Sequence, residues 1–304
     1  MAWFEDASKG KYTVYQLDRP RRNRVTKKCL LCVQSNDSQP MIWFACYALT
    51  GALVGFLAGL LGIGGGMTMV PILAAFFTAQ MLTTDHNVHV ALATAMASAA
   101  FTSSASVREH HRHGAVDWAL VKRVVPGMVS GSLLSTFATG WISQRNLAMA
   151  FAIIVLLAAT QMLLGKKPKA SRALPGTLPM FLIGMVIGVL SGLVSAGGTF
   201  LIMPVLLYCG VSMHTAIGSG AAIGIPVTLV GTLGYIAAGW RVADLPEYHL
   251  GFVFLPALAV LVAASIVTAP MGARMTHRLP VATLKRIFAV VMFLLATKMV
   301  VTYW

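Results

Sequence analysis

The chain consists largely of apolar runs that contain no charged residue. Because the hydrocarbon core of a bilayer is about 30 Å thick, one membrane-spanning helix needs about 20 apolar residues. A helix buried in a soluble protein would carry a polar face, which these runs lack. The pattern predicts an all-α polytopic membrane protein. The runs of 18 or more uncharged residues are 41–79, 88–107, 124–144, 147–165, 174–208 and 250–273.

Two glycine-containing segments interrupt these runs, the first break at 62–66 and the second break at 195–199. Each break is followed by a short apolar piece that contains a proline, Pro71 or Pro204. The first piece, 67–79, would form a helix about 20 Å long, which is short for a full crossing. The sequence therefore predicts two short helices, each beginning at a break.

The two breaks mark a duplication of the chain. A shift of 133 residues aligns the flanking glycines and prolines without a gap, placing Gly55, Gly59, Gly64, Gly65 and Pro71 on Gly188, Gly192, Gly197, Gly198 and Pro204. We expect two pseudo-symmetric repeats, a first transmembrane repeat at 41–165 and a second at 178–304, joined by a basic linker at 166–177. The expected long spans are 41–61, 88–107, 121–139 and 147–164, then 178–194, 215–238 and two that begin near residues 250 and 287.

The number of membrane spans, eight to ten, depends on the two short helices. The first span of each repeat has three glycines four residues apart, which favours close packing of a neighbouring helix. If the short helices fold back on one side, eight spans result, and the positive-inside rule then leaves 274–286 outside. If they cross, ten spans result, one repeat is inverted against the other, and the N-terminal tail lies outside. Glycine-interrupted segments at matching positions are typical of inverted-repeat transporters, which favours ten.

Composition agrees with the membrane interpretation, with 57% apolar residues, 11% charged residues and a mean hydropathy of +0.77. The net charge of +14 comes mainly from the tail and the short loops, where basic residues set topology. Because aromatic residues do not interleave a basic patch, we expect no nucleic-acid partner. Residues 1–40 form a basic tail, which we expect to be mostly disordered and to contact membrane lipids.

Neither the cysteines nor the histidines predict a metal site, and we expect no cofactor. Cys29 and Cys32 form a single CxxC, which is half of a zinc site. Three histidines lie within 110–113, in a segment expected to be an interfacial loop. The chain has no GxxxxGK[ST] motif, so it carries no P-loop for ATP.

The breaks are the predicted binding site. Backbone that leaves the helical path inside a bilayer needs partners from protein, water or solute. The free N–H groups at the start of each short helix carry the positive end of the helix dipole and favour an anion. Lys298 is the only charged residue well inside an expected span, so the backbone itself is the candidate ligand. The candidate residues are Gly64, Gly65, Gly66, Thr68, Thr94, Ser98, Gly197, Gly198, Thr199 and Ser219, with Ser195 and Thr215 as further hydroxyl donors.

A structural explanation of the same residues stays open. The glycines would then provide kinks or close helix crossings. The serine and threonine hydroxyls would bond back to their own helices.

At these positions the chain resembles the sulfite exporter TauE/SafE family of membrane transporters. The resemblance rests on GFLAGLLGIGGG at 55–66 with Pro71, and on GVLSG at 188–192 with Gly197, Gly198 and Pro204. The pairs at 93–94 and 218–219 and the loop at 114–118 also fit, so that it covers 41–304. The resemblance implies transport of small sulfur-containing or organic anions, such as sulfite or sulfoacetate. The second break has Ser195 and Thr199 where the first has Gly62 and Gly66, which departs from a symmetric site.

We therefore expect a secondary transporter of small anions in the inner membrane, working by alternating access and not an enzyme. The candidate residues for coupling transport to a gradient are His86, His89 and His214. The sequence leaves open whether the protein forms a homo-oligomer. An anion channel is one alternative and a membrane scaffold without transport is another. An intramembrane protease would need a Ser–His pair or paired aspartates within spans, and no Asp or Glu lies inside an expected span.

Overall fold

The computed structural model describes residues 38–62, 64–83, 85–164, 175–242, 245–276 and 281–303. Nearly all of the predicted tail, with Cys29 and Cys32, and most of the predicted linker lie outside the described residues. Residues Pro40–Trp304 belong to one compact unit.

The described residues form ten α-helices, and the predicted all-α membrane architecture is confirmed. Five helical stretches are long and apolar enough to cross a membrane: Met41–Leu61, Asn87–Arg112, Gln144–Gln161, Met213–Gly239 and Leu255–Thr276. The two short helices begin at the breaks, as predicted. The helices are α1 Ser38–Leu61, α2 Gly66–Ala79, α3 Asn87–Arg112, α4 Trp118–Ala138, α5 Gln144–Leu164, α6 Thr177–Leu193, α7 Thr199–Tyr208, α8 Met213–Gly239, α9 Leu255–Thr276 and α10 Val281–Tyr303.

Three boundaries differ by five or six residues from the sequence prediction. Helix α10 begins at Val281 rather than near residue 287. Helix α3 continues five residues beyond 107, so Glu109 and His110 are helical and buried rather than part of an interfacial loop. The apolar pattern ends at 107, but polar contacts of Glu109 continue the helix. Before α9, a small antiparallel hairpin pairs His249 with Phe254, so the helix begins at Leu255 rather than near 250.

An ion pair places the ends of α3 and α9 at the same end of the protein. The Arg274 Nε lies 3.1 Å from Glu109 Oε1, and Arg112 Nη1 lies 3.8 Å from Glu109 Oε2. The eight-span arrangement requires these two helix ends to lie on opposite sides of the membrane. The pair therefore contradicts eight spans and agrees with ten.

Helices α3 and α8, the third helices of the two repeats, run antiparallel. Gly231 of α8 packs against Met96 of α3, and Gly224 packs against Ser103. The residue number thus rises along one helix while it falls along the other. Corresponding helices that run in opposite directions are what an inverted pair of repeats requires.

The glycine stripes of α1 and α6 pack against the other repeat. The backbone of α1 touches α9 at Gly51, Gly55 and Gly59, and a Cβ added at Gly59 would lie closer than 3.0 Å to the Ala269 carbonyl oxygen. In the same way α6 touches α4, where a Cβ at Gly188 would meet the backbone of Met128. The first helix of each repeat therefore packs on the fourth helix of the other, and the predicted close approach is confirmed.

Cysteine labelling tests the ten-span arrangement. In a variant with the native cysteines replaced by serine, we expect Gly114→Cys and Met275→Cys to react with a membrane-impermeant maleimide from one side. We expect Trp141→Cys to react only from the other side, because α4 crosses the membrane between positions 114 and 141. Labelling of positions 275 and 141 from a common side would contradict the arrangement.

Candidate functional site

The two breaks have the same backbone geometry immediately before their short helices. Gly65 has φ 76° and ψ −15°, and Gly198 has φ 79° and ψ −18°. This left-handed conformation favours glycine, which has no Cβ to clash with the backbone. Both residues precede a helix start that lacks a side-chain cap, so the first N–H groups of α2 and α7 obtain no partner from a capping side chain.

The second break keeps the conformation of the first without its glycine. Ser195 has a φ of 52°, and Gly62, which it replaces, has a φ of 69°. The Ser195 hydroxyl donates to the Leu92 carbonyl oxygen of α3 at 2.7 Å. A hydrogen bond to the other repeat therefore holds Ser195 in a conformation that glycine adopts freely.

The two breaks lie in direct contact. A Cβ added at Gly66 would lie closer than 3.0 Å to the Ser195 carbonyl oxygen, and one at Gly64 would lie 3.8 Å from the Gly197 nitrogen. Gly64, Gly66, Ser195 and Gly197 are all buried. We call this contact between the two breaks the crossing. The structure thus brings together the backbone of most of the predicted glycines.

Helices α3 and α8 form equivalent walls around the crossing. A Cβ at Gly64 would lie 2.9 Å from Ser103 Oγ and 3.8 Å from the Ala99 Cβ. Across the pseudo-symmetry, a Cβ at Gly197 would lie 3.2 Å from the Gly224 Cα and 3.6 Å from Thr228 Cγ2. Ala99 and Gly224, and Ser103 and Thr228, are each separated by 125 residues. The two repeats therefore enclose the crossing with matching positions.

Ser103 differs from the other polar side chains at the crossing, Ser195 and Thr228, because its hydroxyl is unpaired among the described residues. Its side chain is 1% exposed, and within the described part of the chain its hydroxyl has no hydrogen-bond partner. The hydroxyl oxygen also lies 3.3 Å from the Cβ position of Gly224, so it lies between the first break and α8. Its counterpart Thr228 instead donates to the Gly224 carbonyl oxygen at 2.6 Å. The sequence analysis did not select Ser103; its equivalence to Thr228 is the signal that could have found it.

The hydroxyls that the sequence selected have varied roles. Thr68 Oγ1 donates to the Gly65 carbonyl oxygen at 2.8 Å, within the first turn of α2. Ser98 is buried, and its hydroxyl has no hydrogen-bond partner among the described residues. Thr215 is hydrogen-bonded to Ser212 at the start of α8. The side chain of Thr199 lies outside the described part.

Thr94 and Ser219 fasten the starts of two helices. Thr94 Oγ1 accepts a hydrogen bond from the Phe254 amide at 3.0 Å, immediately before α9. Ser219 Oγ accepts one from the Asp117 amide at 2.9 Å, immediately before α4. The two residues are also separated by 125 positions, so they perform matching tasks in the two repeats. Each hydroxyl uses an acceptor lone pair in this hydrogen bond, so both residues also position the start of a helix.

The three predicted coupling histidines do not lie together. The rings of His86 and His89 are 5.3 Å apart at the start of α3, and both contact Phe252. His89 Nε2 lies 3.0 Å from the Ile142 carbonyl oxygen. His214 lies at the start of α8, and because α3 and α8 are antiparallel it is at the opposite end of the pair.

Comparison with known proteins agrees with this architecture. The family model described as "Sulfite exporter TauE/SafE" matches residues 47–299. The chain belongs to the TauE/SafE family. The protein is a multi-pass membrane transporter, as its family membership and its apolar helices show.

Several curated relatives of this TauE/SafE protein are named as transporters. A "Probable membrane transporter protein" of Haemophilus influenzae is 34% identical over 252 residues, which cover 83% of this chain and 96% of the relative. The "Probable membrane transporter protein YdhB" of Bacillus subtilis is 25% identical, over 77% of this chain and 90% of the relative. A probable membrane transporter protein of Methanocaldococcus jannaschii is 25% identical, over 76% and 85%. No solved structure matches the chain.

Two buried side chains of this TauE/SafE protein cap the helices that lead into the breaks. His110 Nε2 of α3 donates to the Gly59 carbonyl oxygen at 3.2 Å, and the Tyr235 hydroxyl of α8 donates to the Gly192 carbonyl oxygen at 2.8 Å. Both donors and both acceptors occupy equivalent positions in the two repeats. Each cap fixes the last turn of a glycine-rich helix three residues before its break. The sequence analysis missed His110 as a cap because it placed this residue in a loop.

Removing the Tyr235 hydroxyl tests the caps. We expect Tyr235→Phe to lower the melting temperature, because the Gly192 carbonyl oxygen would keep only weak backbone donors, such as the Ser195 amide at 3.4 Å. A buried polar group that loses its hydrogen-bond partner costs about 1–3 kcal/mol. We also expect slower transport, since the turn before the second break loses its support. Tyr248→Phe is the matched control, because Tyr248 is 73% exposed. Equal melting temperatures for the two variants would contradict a capping role.

Proposed function

We propose that this protein is a secondary transporter of small anions, and that the transported anion binds at the crossing. Sulfite, sulfoacetate and related sulfur-containing or organic anions are the proposed substrates. The observation that carries the proposal is the contact of two inversion-related breaks beside the unpaired, buried hydroxyl of Ser103.

The chemistry of the crossing suits an anion. Two helices begin there, and the first N–H groups of a helix carry a partial positive charge and lack intrahelical partners. Ser103 adds a hydroxyl donor, and the residues that we place at the crossing are all uncharged. A fixed cation would hold an anion strongly, whereas a transport site must also release it. Backbone N–H donors and one hydroxyl would bind the anion without holding it as strongly as a fixed cation would.

Alternating access is the proposed mechanism. In the proposal, the conformation in which the residues of the crossing are buried is the closed state of the cycle. In the proposal, opposite ends of the protein open in turn as the two inverted repeats exchange conformations. Coupling to a proton gradient through His86, His89 or His214 belongs to the same proposal, as does residence in the inner membrane. A carrier of this kind differs from the alternative, an anion channel, in its saturation and exchange kinetics.

Counterflow in proteoliposomes tests the function. Vesicles containing purified protein are loaded with sulfite, sulfate, sulfoacetate or a short carboxylate, and uptake of the same labelled anion is measured. We expect saturable uptake that rises when the interior holds substrate, for at least one member of the panel. Flux that increases linearly with concentration and shows no trans-stimulation would identify a channel. Absence of flux for the whole panel would reject the proposed substrate class.

A further inference from the structure

A pocket of about 280 Å³ lies between α2 and α10, away from the crossing. Its α2 wall consists of Pro71, small alanine side chains and Thr78, and its α10 wall includes Lys298, Thr302 and Tyr303. Among the described residues, Lys298 is the only charged one that lines the pocket. In the described part of the chain the Lys298 ammonium group has no acidic partner. The pocket therefore has an uncompensated positive charge and several hydroxyl groups.

Lys298 lies on a face of α10 that is exposed to the surroundings of the helix bundle. Leu294, four residues before it, is 63% exposed, and Val301, three residues after it, is 77% exposed. Residues at these spacings share one face of a helix. In a membrane protein, exposed large apolar side chains on such a face contact acyl chains. The ammonium group thus has lipid on its outer side and the pocket on its inner side.

The depth of the pocket corresponds to the headgroup region. Thr78 and Tyr303, whose oxygens lie 3.2 Å apart, are at or near the C-terminal ends of α2 and α10. At the same end, Gln80 donates to the Tyr47 hydroxyl at 2.6 Å, and Trp43 packs on Phe76. Trp and Tyr side chains concentrate at the interface between the hydrocarbon core and the headgroups. Lys298 is less than two turns from this end, within reach of the interface for its long side chain.

We propose that this pocket binds the phosphate headgroup of an anionic phospholipid, with Lys298 as the charged ligand. A lone cation inside a membrane is costly, and a lipid phosphate supplies the missing negative charge. Basic pockets between transmembrane helices bind anionic headgroups in this way. The volume is below the range of about 300–1,000 Å³ typical of drug-sized ligands, so it accommodates a headgroup and leaves the acyl chains outside. There they extend towards the bilayer centre along Leu294, which lies one turn deeper in the membrane than Lys298.

The position of the pocket connects a bound lipid to the proposed transport site through helix α2. One wall of the pocket is α2, the helix whose N-terminus forms part of the crossing. A headgroup bound to α10 and in contact with α2 would hold these two helices together. Lipid binding itself is independent of the proposed transport function, and it is measurable without any transported anion.

Native mass spectrometry of the delipidated full-length protein tests the proposal. With phosphatidylglycerol and phosphatidylcholine added separately, we expect the wild type to bind phosphatidylglycerol more tightly. Lys298→Met should weaken phosphatidylglycerol binding about fivefold, the factor expected for one lysine near an anionic surface. Lys298→Arg should keep the preference. The matched control Lys122→Met, which removes an exposed lysine on α4, should also keep it.

Three results would overturn the proposal. Equal phosphatidylglycerol binding by the wild type and Lys298→Met would show that the lysine does not hold the headgroup. Displacement of phosphatidylglycerol by soluble glycerol phosphate at equal concentration would assign the pocket to a free phosphate anion. A change of oligomeric state in Lys298→Met without a change in lipid binding would assign this face to a second copy of the chain.

Discussion

Gly66→Ala is expected to abolish anion transport in proteoliposomes while the protein still inserts into the membrane. The added methyl group would overlap the Ser195 carbonyl oxygen, which is main chain and cannot rotate away as a side chain would. The two breaks must then separate, and such overpacking of a filled interior costs about 1–3 kcal/mol. The start of α2 would then no longer contact the second break. Counterflow of the anion identified by the substrate panel measures the effect.

Gly176→Ala is the control for Gly66→Ala. Gly176 precedes α6, and a Cβ there would have only Pro179 Cδ nearby, at 4.0 Å. We expect near-normal transport for this variant. Gly65→Val and Gly198→Val should behave like Gly66→Ala, because both positions have a positive φ and a Cβ would contact neighbouring side chains. Normal transport by Gly66→Ala would show that the contact of the two breaks is not needed.

Ser103→Ala is expected to raise the KM for the transported anion about tenfold or more without lowering the melting temperature. A hydrogen bond to a charged group contributes about 1.5–3 kcal/mol, and its loss weakens binding accordingly. The free protein loses little, because the hydroxyl has no partner among the described residues and a methyl-sized side chain remains. Initial rates of counterflow against anion concentration give the KM.

Ser104→Ala is the matched control for this residue. The Ser104 hydroxyl donates to the Ala100 carbonyl oxygen of its own helix at 2.8 Å, so its removal should leave the KM unchanged. A Ser103→Ala variant with an unchanged KM and a lower melting temperature would make Ser103 a structural residue. Comparing the two variants thus distinguishes a hydroxyl that binds the anion from one that only hydrogen-bonds to the backbone of its own helix.

The architecture was predictable from the sequence because its signals are local and repeated. Uncharged runs predict helices, and glycine-containing breaks at a constant shift predict where the short helices begin. The extension of α3 to Arg112 was not predictable from hydropathy, since Glu109 is held by Arg274, which is distant in the chain. The charges of the loops did not decide between eight and ten membrane spans. The antiparallel packing of α3 and α8 favours ten.

The polar residues of the site were less predictable than its backbone. Helix α3 contains many small hydroxyl side chains, and the sequence does not show which of them face the breaks. Thr94 and Ser219 were selected as hydroxyl donors, and the sequence does not show that their oxygens also accept hydrogen bonds from distant backbone amides. Ser103 becomes distinct only when α3, α8 and both breaks are packed together. The contact between breaks 133 residues apart supplies that information.

A structure determined in the presence of selenite tests the location of the anion site most directly. Selenite resembles sulfite in charge and shape, and its selenium atom is identified by anomalous scattering. We expect a selenium peak at the crossing, adjacent to Gly64, Gly197 and the Ser103 hydroxyl. Selenium bound elsewhere in a protein that transports selenite, with the crossing empty, would contradict the account.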